Sequence, residues 1–338
     1  MPKNLAVLCP NPSDGTSLYR GHGPLSALRK TMPDLNLCLM PNNIDWSTLS
    51  LMDAVFMQRP FRSSDVALCE MIRRIGIPLW VDLDDDLFRV PSWNPCSHIY
   101  NDPKIQGYIS KCLQAADIVS VSTPHLADQI ASLNKRVMVI PNAWDDNFFP
   151  RSQQERQTTG RLVFWRGSTT HRKDLDFSAD VIIDAAKRHP DVSWMFIGDY
   201  PWFADRINEQ QVIIAQAMDP FIYFDFLNQV LPNIMIVPLE DCQFNRSKSN
   251  CAWIEGSYAG SVVLGPAWPE WAQPGVCGYQ DQRQFAAKLD TLLDMPTESL
   301  DALATKSWHH IEQNLALSKV NLRRKAILEG LFNGQARR

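Results

Sequence analysis

Short apolar runs of strand type alternate with amphipathic helical patterns along this chain, and the alternation occurs twice. In the first half, strand-type runs stand at residues 5–9, 35–40, 54–57, 77–83, 118–121 and 137–140. Helical patterns lie between them, at residues 24–30, 64–75 and 104–115. Strands that alternate with helices favour a parallel sheet covered by helices. The first half therefore predicts one doubly wound, Rossmann-like α/β domain.

The same pattern restarts in the second half. Strand-type runs occupy residues 162–165, 192–197, 234–239 and 261–264, and helical patterns occupy residues 174–187, 220–231 and 248–259. Residues 211–216 fit either type, and the chain from residue 281 looks helical, with one helix starting at Pro296. Because 338 residues exceed the roughly 150 residues of a typical domain, two domains that face a cleft are expected.

A polar stretch between Pro150 and Gly160 has no periodic apolar residues and is typical of a linker. It divides the chain into predicted domains at residues 1–150 and 151–315. Residues 316–338 form a final helix and tail that we expect to pack back on the first domain. Basic residues gather there, namely Arg323, Arg324, Lys325, Arg337 and Arg338. Such a cluster can contact phosphates or an anionic membrane, or it is simply a solvated face.

Composition argues against several classes of protein. A net charge of −4 gives no overall basic surface for nucleic acid. No apolar stretch approaches the ~18 residues of a membrane span, and the first apolar run is too short for a signal peptide. Eight scattered cysteines, with no Cys-x-x-Cys pair, fit reduced thiols. We therefore expect a cytoplasmic protein with at most peripheral membrane contact.

A cluster of cations and hydroxyls opens the predicted helix at residues 248–259. Its candidate ligand-binding residues are Ser247, Lys248, Ser249, Asn250 and Glu255. In a parallel sheet, helix N-termini beyond the carboxyl ends of strands bind phosphate groups. The segment therefore predicts a site for a diphosphate and a sugar, unless it is an ordinary capped helix with solvated Lys and Glu side chains.

The second domain opens with a strand that runs into a loop rich in glycine, hydroxyls and cations. The candidate diphosphate-binding residues of this loop are Arg166, Gly167, Ser168, Arg172 and Lys173. Glycine lets a backbone approach a phosphate closely, and the cations supply charge. A routine turn followed by a helix cap has the same residues. His171 in this loop is either a structural hydrogen-bonding residue or a catalytic one.

Four carboxylates crowd the end of one predicted strand, at Asp82, Asp84, Asp85 and Asp86. Neighbouring like charges raise each other's pKa, so such acids must be solvated, paired with cations or bound to a metal. Three interpretations remain open. An Asp-x-Asp pair holds Mg or Mn against a diphosphate, the acids accept hydrogen bonds from sugar hydroxyls, or Asp86 caps a short helix.

Other polar residues follow strands of the first predicted sheet. The loop after the first strand carries Tyr19, Arg20 and His22, which we expect to point into the cleft. Later strands end in the same way, at Arg59, Ser122, Thr123 and Asn142. Together these side chains predict one lined binding face.

Taken in order, these motifs resemble the retaining glycosyltransferases of the GT-B fold, family 4. The resemblance spans most of the chain. Its motifs are the early Tyr-Arg loop, Arg59-Pro60, the Asp-rich strand end, residues 116–123, Val139-Ile-Pro-Asn142, Gly167 to His171, Phe196-Ile-Gly198, and Lys248-Ser-Asn followed by Ile254-Glu255.

The resemblance implies transfer of a sugar from a nucleotide-sugar donor with the anomeric configuration kept and no metal required. Glu255 matches the second acid of the family's Glu-x7-Glu pattern, which binds the donor ribose, and Ser247 stands where the first acid would be. Lys248, with Arg166 or Arg172, would balance the leaving diphosphate, although the family's Lys-Gly after the loop is absent.

The resemblance also assigns the remaining site residues. Asp84, Asp85 and Asp86 align with a strand end where many relatives carry a His-Asp pair near the acceptor. They, with His171 and Lys248, are the predicted catalytic residues, and Tyr19, Arg20, His22 and Arg59 the predicted acceptor-binding residues. The expected acceptor is a surface glycan or a lipid-linked sugar, with a modified DNA base as another candidate. Alternatives are a sugar-nucleotide epimerase of the same fold and a non-catalytic nucleotide-sugar or glycan-binding module.

Overall fold

Two separate parallel sheets form the framework of the chain in the computed structural model, which describes residues 2–40, 44, 46–151 and 160–334. The strands of the first sheet are β1 (Lys3–Leu8), β2 (Leu35–Leu39), β3 (Ala54–Gln58), β4 (Leu79–Leu83), β5 (Ile118–Val121) and β6 (Val137–Val139). Their spatial order is β2-β1-β3-β4-β5-β6. All six predicted strands of this half are confirmed.

Helices cover both faces of the first sheet. They are α1 (Gly15–Arg20), α2 (His22–Leu28), α3 (Trp46–Leu49), α4 (Ser63–Ile75), α5 (Ser97–Tyr100), α6 (Pro103–Ala115) and α7 (Pro124–Ile130). Every residue of β3 and β4 is buried, as expected for central strands between two helical layers. Phe56 and Trp80 pack edge to face in this core, with ring centroids 4.9 Å apart.

The second sheet repeats this plan. Its strands are β7 (Arg161–Gly167), β8 (Val192–Gly198), β9 (Val212–Gln216), β10 (Ile234–Ile236), β11 (Val262–Pro266) and β12 (Val276–Tyr279), in the order β12-β11-β10-β7-β8-β9. Its helices are α8 (Arg172–Asp176), α9 (Ala179–Arg188), α10 (Pro220–Val230), α11 (Gln243–Arg246), α12 (Cys251–Tyr258), α13 (Gln282–Asp294) and α14 (Thr297–Asn314). The second doubly wound domain is confirmed.

Three local differences separate the second sheet from its prediction. The ambiguous residues 211–216 supply the edge strand β9, whose Ile213 and Ile214 are exposed. The short strand β12 was not predicted, because Gly278 interrupts its apolar pattern. The helix predicted at residues 174–187 breaks near Ser178, whose hydroxyl donates to the carbonyl of Leu175 at 3.0 Å.

The end of the chain returns to the first domain, as predicted. After α14 packs on the second domain, the backbone of Trp144 exchanges hydrogen bonds with Leu315 and Leu317. The last helix, α15 (Leu317–Phe332), then buries Leu328 among residues of β1, β3 and α2. Asn321 donates to the carbonyl of Pro24 at 2.8 Å. Within the predicted linker between Pro150 and Gly160, residues 152–159 lie outside the described residues.

The basic cluster of the last helix is not a free charged surface. Arg324 is buried, and its guanidinium donates to Asn321 and to the carbonyl of Tyr19. Burial and nearby Arg20 lower the pKa of Arg324 to about 9. Arg323 and Lys325 donate to backbone carbonyls of the first domain. The predicted phosphate or membrane contact is therefore wrong for Arg324, while Arg337 and Arg338 lie outside the described residues.

None of the helices in the described ranges combines the length and the apolar character needed to cross a bilayer.

Candidate functional site

The carboxyl ends of the two sheets face each other across a cavity of about 690 Å³. Parallel sheets bind ligands beyond the carboxyl ends of their strands, so this is the expected place for a site. Twelve of the predicted site residues line it, namely Tyr19, Arg20, Arg59, Asp84, Asp85, Arg166, Gly167, Ser168, His171, Lys248, Ser249 and Glu255. Their roles stay predictions, because position alone does not test them.

Lys248 supplies an uncommitted positive charge to the wall formed by the second domain. Its ammonium lies 4.8 Å from the centroid of the Phe244 ring, and among the described residues no carboxylate forms an ion pair with it. It precedes α12, which begins at Cys251 and not at Lys248 as predicted. An ammonium in this position can bind a phosphate oxygen without first leaving a protein partner.

The N-terminus of α12 adds to the same wall. The N-cap residue, Asn250, does not cap the helix with its side chain, which donates instead to the carbonyl of Glu270 at 3.0 Å. Cys251 and Ala252, in the first turn, line the cavity. Backbone N–H groups at a helix start carry partial positive charge and attract anions. Lys248 and this helix start therefore form one candidate diphosphate site.

Glu255 lies deeper in the cavity and is surrounded by four hydrogen-bond donors. Arg166 binds it in a bidentate manner, at 2.6 and 3.0 Å. The hydroxyls of Tyr19 and Tyr223 each donate to it at 3.1 Å. Burial, with the charge of Glu255 next, raises the pKa of both tyrosines, so both remain protonated donors. The carboxylate is thus fully engaged, and a ribose must displace a donor to reach it.

Arg166 is therefore not a free cation. Burial would lower the pKa of its guanidinium, but the charge of Glu255 outweighs this and raises it. Because Arg166 is already paired with Glu255, Lys248 is the cation expected to balance the charge of a diphosphate.

Gly167 and Gly198 end β7 and β8, at positions where a side chain would meet close neighbours. A Cβ on Gly167 would lie 2.4 Å from the ring of Trp165, and a Cβ on Gly198 would lie 2.3 Å from the carbonyl oxygen of Gly167. Gly198 also has a φ of +100°, which side chains other than glycine rarely adopt. Gly198 therefore lets the end of β8 lie against the carbonyl of Gly167, while Gly167 leaves room for the ring of Trp165.

The two cations that follow this loop do not reach the cavity. Arg172 is exposed and binds Asp199 at 2.6 and 2.9 Å, and Lys173 pairs with Asp176 at 3.6 Å. Neither is among the lining residues. Their predicted donor-binding positions are wrong, because α8 starts at Arg172 and turns these side chains onto the outer surface.

His171 lines the cavity and has a buried partner. Its Nδ1 lies 2.9 Å from Oδ2 of Asp174, while Oδ1 of Asp174 accepts from the backbone N–H of Glu240 and from Asn245. Burial, reinforced by the nearby charge of Lys248, lowers the pKa of His171. The imidazole is therefore neutral at pH 7.

Arg59 joins two of the predicted acids on the wall formed by the first domain. Its guanidinium binds both carboxylate oxygens of Asp84, and it donates to Asp85 at 2.8 Å. Burial raises the pKa of Asp84 to about 6 against the opposing effect of Arg59. Burial also acts to raise the pKa of Asp85, but the charges of Lys248 and Arg59 outweigh it and lower that pKa. Asp85 thus faces the cations of the second domain.

The other acids of this strand end have structural partners. Asp86 is fully buried, accepts from the backbone N–H of Phe88 at 3.2 Å, and pairs with Arg89 at 2.9 Å. It does not line the cavity, so the structure does not bring this predicted catalytic residue to the site. The bond to Phe88 closes a turn, and no helix begins between β4 and α5, so the capping interpretation is wrong. Asp82 forms a buried ion pair with Arg20, with a closest distance of 2.6 Å.

Two predicted acceptor-binding residues are also structural. Arg20 is 1% exposed, and its guanidinium donates hydrogen bonds to Asp82, to Asn142 and to the carbonyl of Ile140. It therefore holds strand ends together, and four of its five N–H donors are engaged in these contacts. His22 starts α2 away from the cavity lining. The early loop contributes Tyr19 to the site instead.

Hydrogen bonds across the cleft hold the 247–251 segment against the first domain. Thr123 donates to the carbonyl of buried Ser247 at 2.9 Å, and Asn142 donates to Ser249 at 2.8 Å and to the sulfur of Cys251 at 2.8 Å. Ser247 and Asn250 are not among the lining residues and contact protein groups, so the structure does not bring these two predicted donor-binding side chains to the cavity.

Three residues of the site were not singled out in the sequence, namely Tyr223, Asp174 and Cys251. Tyr223 lies within a helical pattern, where no local feature separates it from core aromatics. Asp174 follows His171 by three residues, a spacing that could have indicated a pair on one helical turn. Cys251 lies next to the Ser-Asn segment and could have been included with it.

Several solved structures have a fold similar to that of this chain. HepE from Anabaena in complex with UDP-glucose is similar with a TM-score of 0.71 at 14% identity, over 97% of this chain and 99% of that one. A glycosyltransferase from Rickettsia africae has a TM-score of 0.65 at 12% identity, over 98% of both chains. A putative UDP-N-acetylglucosamine 2-epimerase from Listeria monocytogenes has a TM-score of 0.60 at 12% identity, over 99% of this chain and 98% of that one.

Two Rossmann-like domains in this arrangement constitute the GT-B fold, which this chain has. No protein-family model matches the sequence, and no curated protein matches it.

Proposed function

We propose that this chain is a glycosyltransferase that moves a sugar from a nucleotide-sugar donor to a hydroxyl acceptor. One observation carries the proposal. A free cation, Lys248, and the start of α12 face the Arg59 and Asp85 side chains across a single cavity between GT-B domains. HepE, which has the same fold, holds UDP-glucose, and this supports a donor of that class.

The charges of the cavity suit the chemistry of this transfer. Breaking the bond from sugar to phosphate leaves negative charge on the diphosphate and oxocarbenium character on the sugar. Lys248 and the α12 N–H groups would stabilise the diphosphate as that charge develops. Glu255 would bind the donor ribose after one of its tyrosine donors moves. The donor is a co-substrate, and no cofactor enters this scheme.

We include retention of the anomeric configuration in the proposal, as in family 4. Inversion needs a free protein base opposite the leaving group. Arg59 occupies both Asp84 and Asp85, which supports a mechanism in which the leaving phosphate itself helps to deprotonate the acceptor.

The acceptor is, in this proposal, a glycan or lipid-linked sugar. Asp14, Asp84 and Asp85 line the first-domain wall, and Arg59 is already bound to two of them. A nucleic acid needs several free cations for its phosphates, whereas sugar hydroxyls donate readily to carboxylates. This favours a sugar over a modified DNA base. The cytoplasmic location stays a prediction, supported by eight free thiols.

Metal independence is also part of the proposal. Lys248 and the N–H groups at the start of α12 can stabilise the negative charge of the diphosphate, as a metal ion would. The proposed enzyme therefore keeps full activity in EDTA. Activity that is lost in EDTA and restored by Mn would overturn this assignment.

The decisive test is incubation with UDP-, GDP-, ADP- and CMP-sugars and a panel of glycan acceptors. A thermal-shift screen first identifies the donor, because a ligand that binds the native state raises its stability. We expect release of the free nucleotide and a new glycoside with the donor's anomeric configuration by NMR. An epimerised sugar as the only product would favour the epimerase, in line with the Listeria structure. Binding with no turnover would favour a binding module.

A further inference from the structure

Asp174 stands behind the cavity, between the two segments that form its second-domain wall. It is 1% exposed. One carboxylate oxygen, Oδ2, faces Nδ1 of His171 in the loop after β7, at 2.9 Å. The other oxygen, Oδ1, accepts from the 240–245 segment that leads to Lys248.

The orientation of this carboxylate is fixed by the two donors on Oδ1. The backbone N–H of Glu240 lies 3.0 Å away and Nδ2 of Asn245 lies 2.7 Å away. Nδ2 of Asn245 also donates to the carbonyl of Glu240 at 2.9 Å, so this amide cannot rotate without losing two bonds. A group that occupies the Oδ1 position must therefore be an acceptor.

The contact between Oδ2 and Nδ1 fixes the tautomer of the imidazole. A neutral imidazole has one N–H and one lone pair, and a carboxylate only accepts, so Nδ1 carries the proton. Nε2 then carries the lone pair. In the described part of the chain, Nε2 has no hydrogen-bond partner, and His171 lines the cavity with Lys248 and Asp85.

We propose that Asp174 is a positioning residue that holds His171 as the Nδ1–H tautomer, so that Nε2 accepts a hydrogen bond from a hydroxyl of the donor sugar. The hydroxyl contact rests on the proposed function, whereas the tautomer does not. A lone pair cannot bind a phosphate oxygen, which also only accepts. His171 therefore recognises the sugar, and Lys248 and α12 are left to hold the diphosphate.

The charges around His171 agree with a neutral ring. Burial is the largest effect that disfavours a second proton, and Lys248 and Arg166 add to it, while Asp174 favours that proton. Asp85 faces the same cations from the first domain.

The tautomer can be measured without any ligand. Long-range ¹H–¹⁵N NMR at pH 7 distinguishes the two ring nitrogens of each of the seven histidines, and the signals lost in His171→Gln identify His171. We expect a protonated Nδ1 and an unprotonated Nε2. A wild-type spectrum in which the signals of His171 show a protonated Nε2, or two protonated nitrogens, would overturn the proposal even if Asp174→Asn does not fold.

Asp174→Asn tests the positioning role. Glu240 and Asn245 require an acceptor at the Oδ1 position, so the new amide must place its oxygen there and its NH₂ towards Nδ1. Nδ1 then accepts and the proton moves to Nε2, as in a catalytic triad whose Asp is replaced by Asn. Asp176→Asn, which changes a more exposed acid of the same helix, is the control and should keep the wild-type tautomer. An unchanged tautomer in Asp174→Asn would contradict the role of Asp174.

His171→Phe tests the sugar contact. The affinity of the donor found in the thermal-shift screen should fall about five- to tenfold, as for one lost hydrogen bond. The affinity of the matching free nucleotide should not change. Equal losses for both ligands would mean that His171 contacts the phosphates, and would overturn the sugar contact. If no donor binds, the proposed function and the sugar contact both fail, while the NMR result still decides the tautomer.

Discussion

Arg166 and Lys248 both line the cavity, but they differ in whether a protein carboxylate forms an ion pair with them. Arg166 donates twice to Glu255, so any phosphate must compete with a bidentate partner. The ammonium of Lys248 has the ring of Phe244 beside it and Asp85 further across the cavity. A phosphate can therefore bind Lys248 at little cost in lost protein contacts.

Lys248→Ala should weaken nucleoside diphosphate binding more than any other single cation removed from this site. A charged hydrogen bond contributes about 1.5–3 kcal/mol, so the Kd should rise roughly ten- to a hundredfold, as measured by calorimetry. Arg172→Ala is the matched control, because Arg172 is exposed and outside the cavity. Equal losses in both variants would show that only the overall charge matters.

Glu255→Gln should destabilise the fold, because it leaves the guanidinium of Arg166 without its counter-charge. Glu255 is 4% exposed, and breaking such a pair costs about 2–3 kcal/mol when the partner is partly solvated. Asp241→Asn breaks a similar bidentate contact, to Arg246, on the surface and should cost less than about 0.5 kcal/mol. Urea unfolding of both variants measures the difference, and equal costs would refute the buried role of Glu255.

Among the connecting elements, the short turn between β11 and β12 holds a half-buried acid, Glu270. Burial raises its pKa to about 7, and this outweighs the hydrogen bond from Asn250. Since the folded pKa lies above the ordinary value of 4.5, the folded state binds more protons between pH 4.5 and 7. The contribution of Glu270 to stability is therefore present below pH 4.5 and is lost as the pH rises to 7.

Glu270→Gln should remove this pH dependence. Relative to wild type, the variant should gain about 3 kcal/mol of unfolding free energy between pH 4.5 and 7. Thermal unfolding across that range measures the gain. Glu298→Gln, at the exposed start of α14, is the control and should follow the wild-type curve. A constant difference between Glu270→Gln and wild type would show that Glu270 does not titrate in this range.

Helices and strands were predictable from the sequence where the local pattern of apolar residues determines them. An apolar run such as Ile118–Val121 specifies a buried strand by itself, and β5 has those same bounds. Partners of charged residues are not local. Arg166 and Glu255 stand 89 positions apart, and Arg20 and Asp82 stand 62 apart. The sequence thus indicated which residues are polar at strand ends, but not which ones neutralise each other. It did not show that Arg20, Arg172 and Asp86 are each paired with another protein residue.

At the scale of the whole molecule, the cleft is held by contacts at two places. Tyr19, Thr123 and Asn142 of the first domain bond to the α12 region of the second. On the far side, α15 leaves the second domain and joins the core of the first. The geometry of the cavity therefore depends on a helix that contributes no lining residue.

Leu328→Ala should destabilise the first domain, because Leu328 is fully buried between α15 and the first sheet. A cavity left by a buried leucine costs about 2–5 kcal/mol. Leu322→Ala changes the same helix where the side chain is 61% exposed, and should cost less than about 0.5 kcal/mol. Urea unfolding followed by tryptophan fluorescence gives both values.

The shape of that transition tests the coupling of the domains. If α15 joins them into one cooperative unit, Leu328→Ala lowers the urea midpoint with an unchanged slope, since the slope follows the surface exposed on unfolding. A second transition, or a lower slope, would mean that the first domain unfolds by itself once α15 is loosened. The Leu322→Ala curve should overlay the wild-type curve in either case, which separates loosening of the interface from any general effect on the helix.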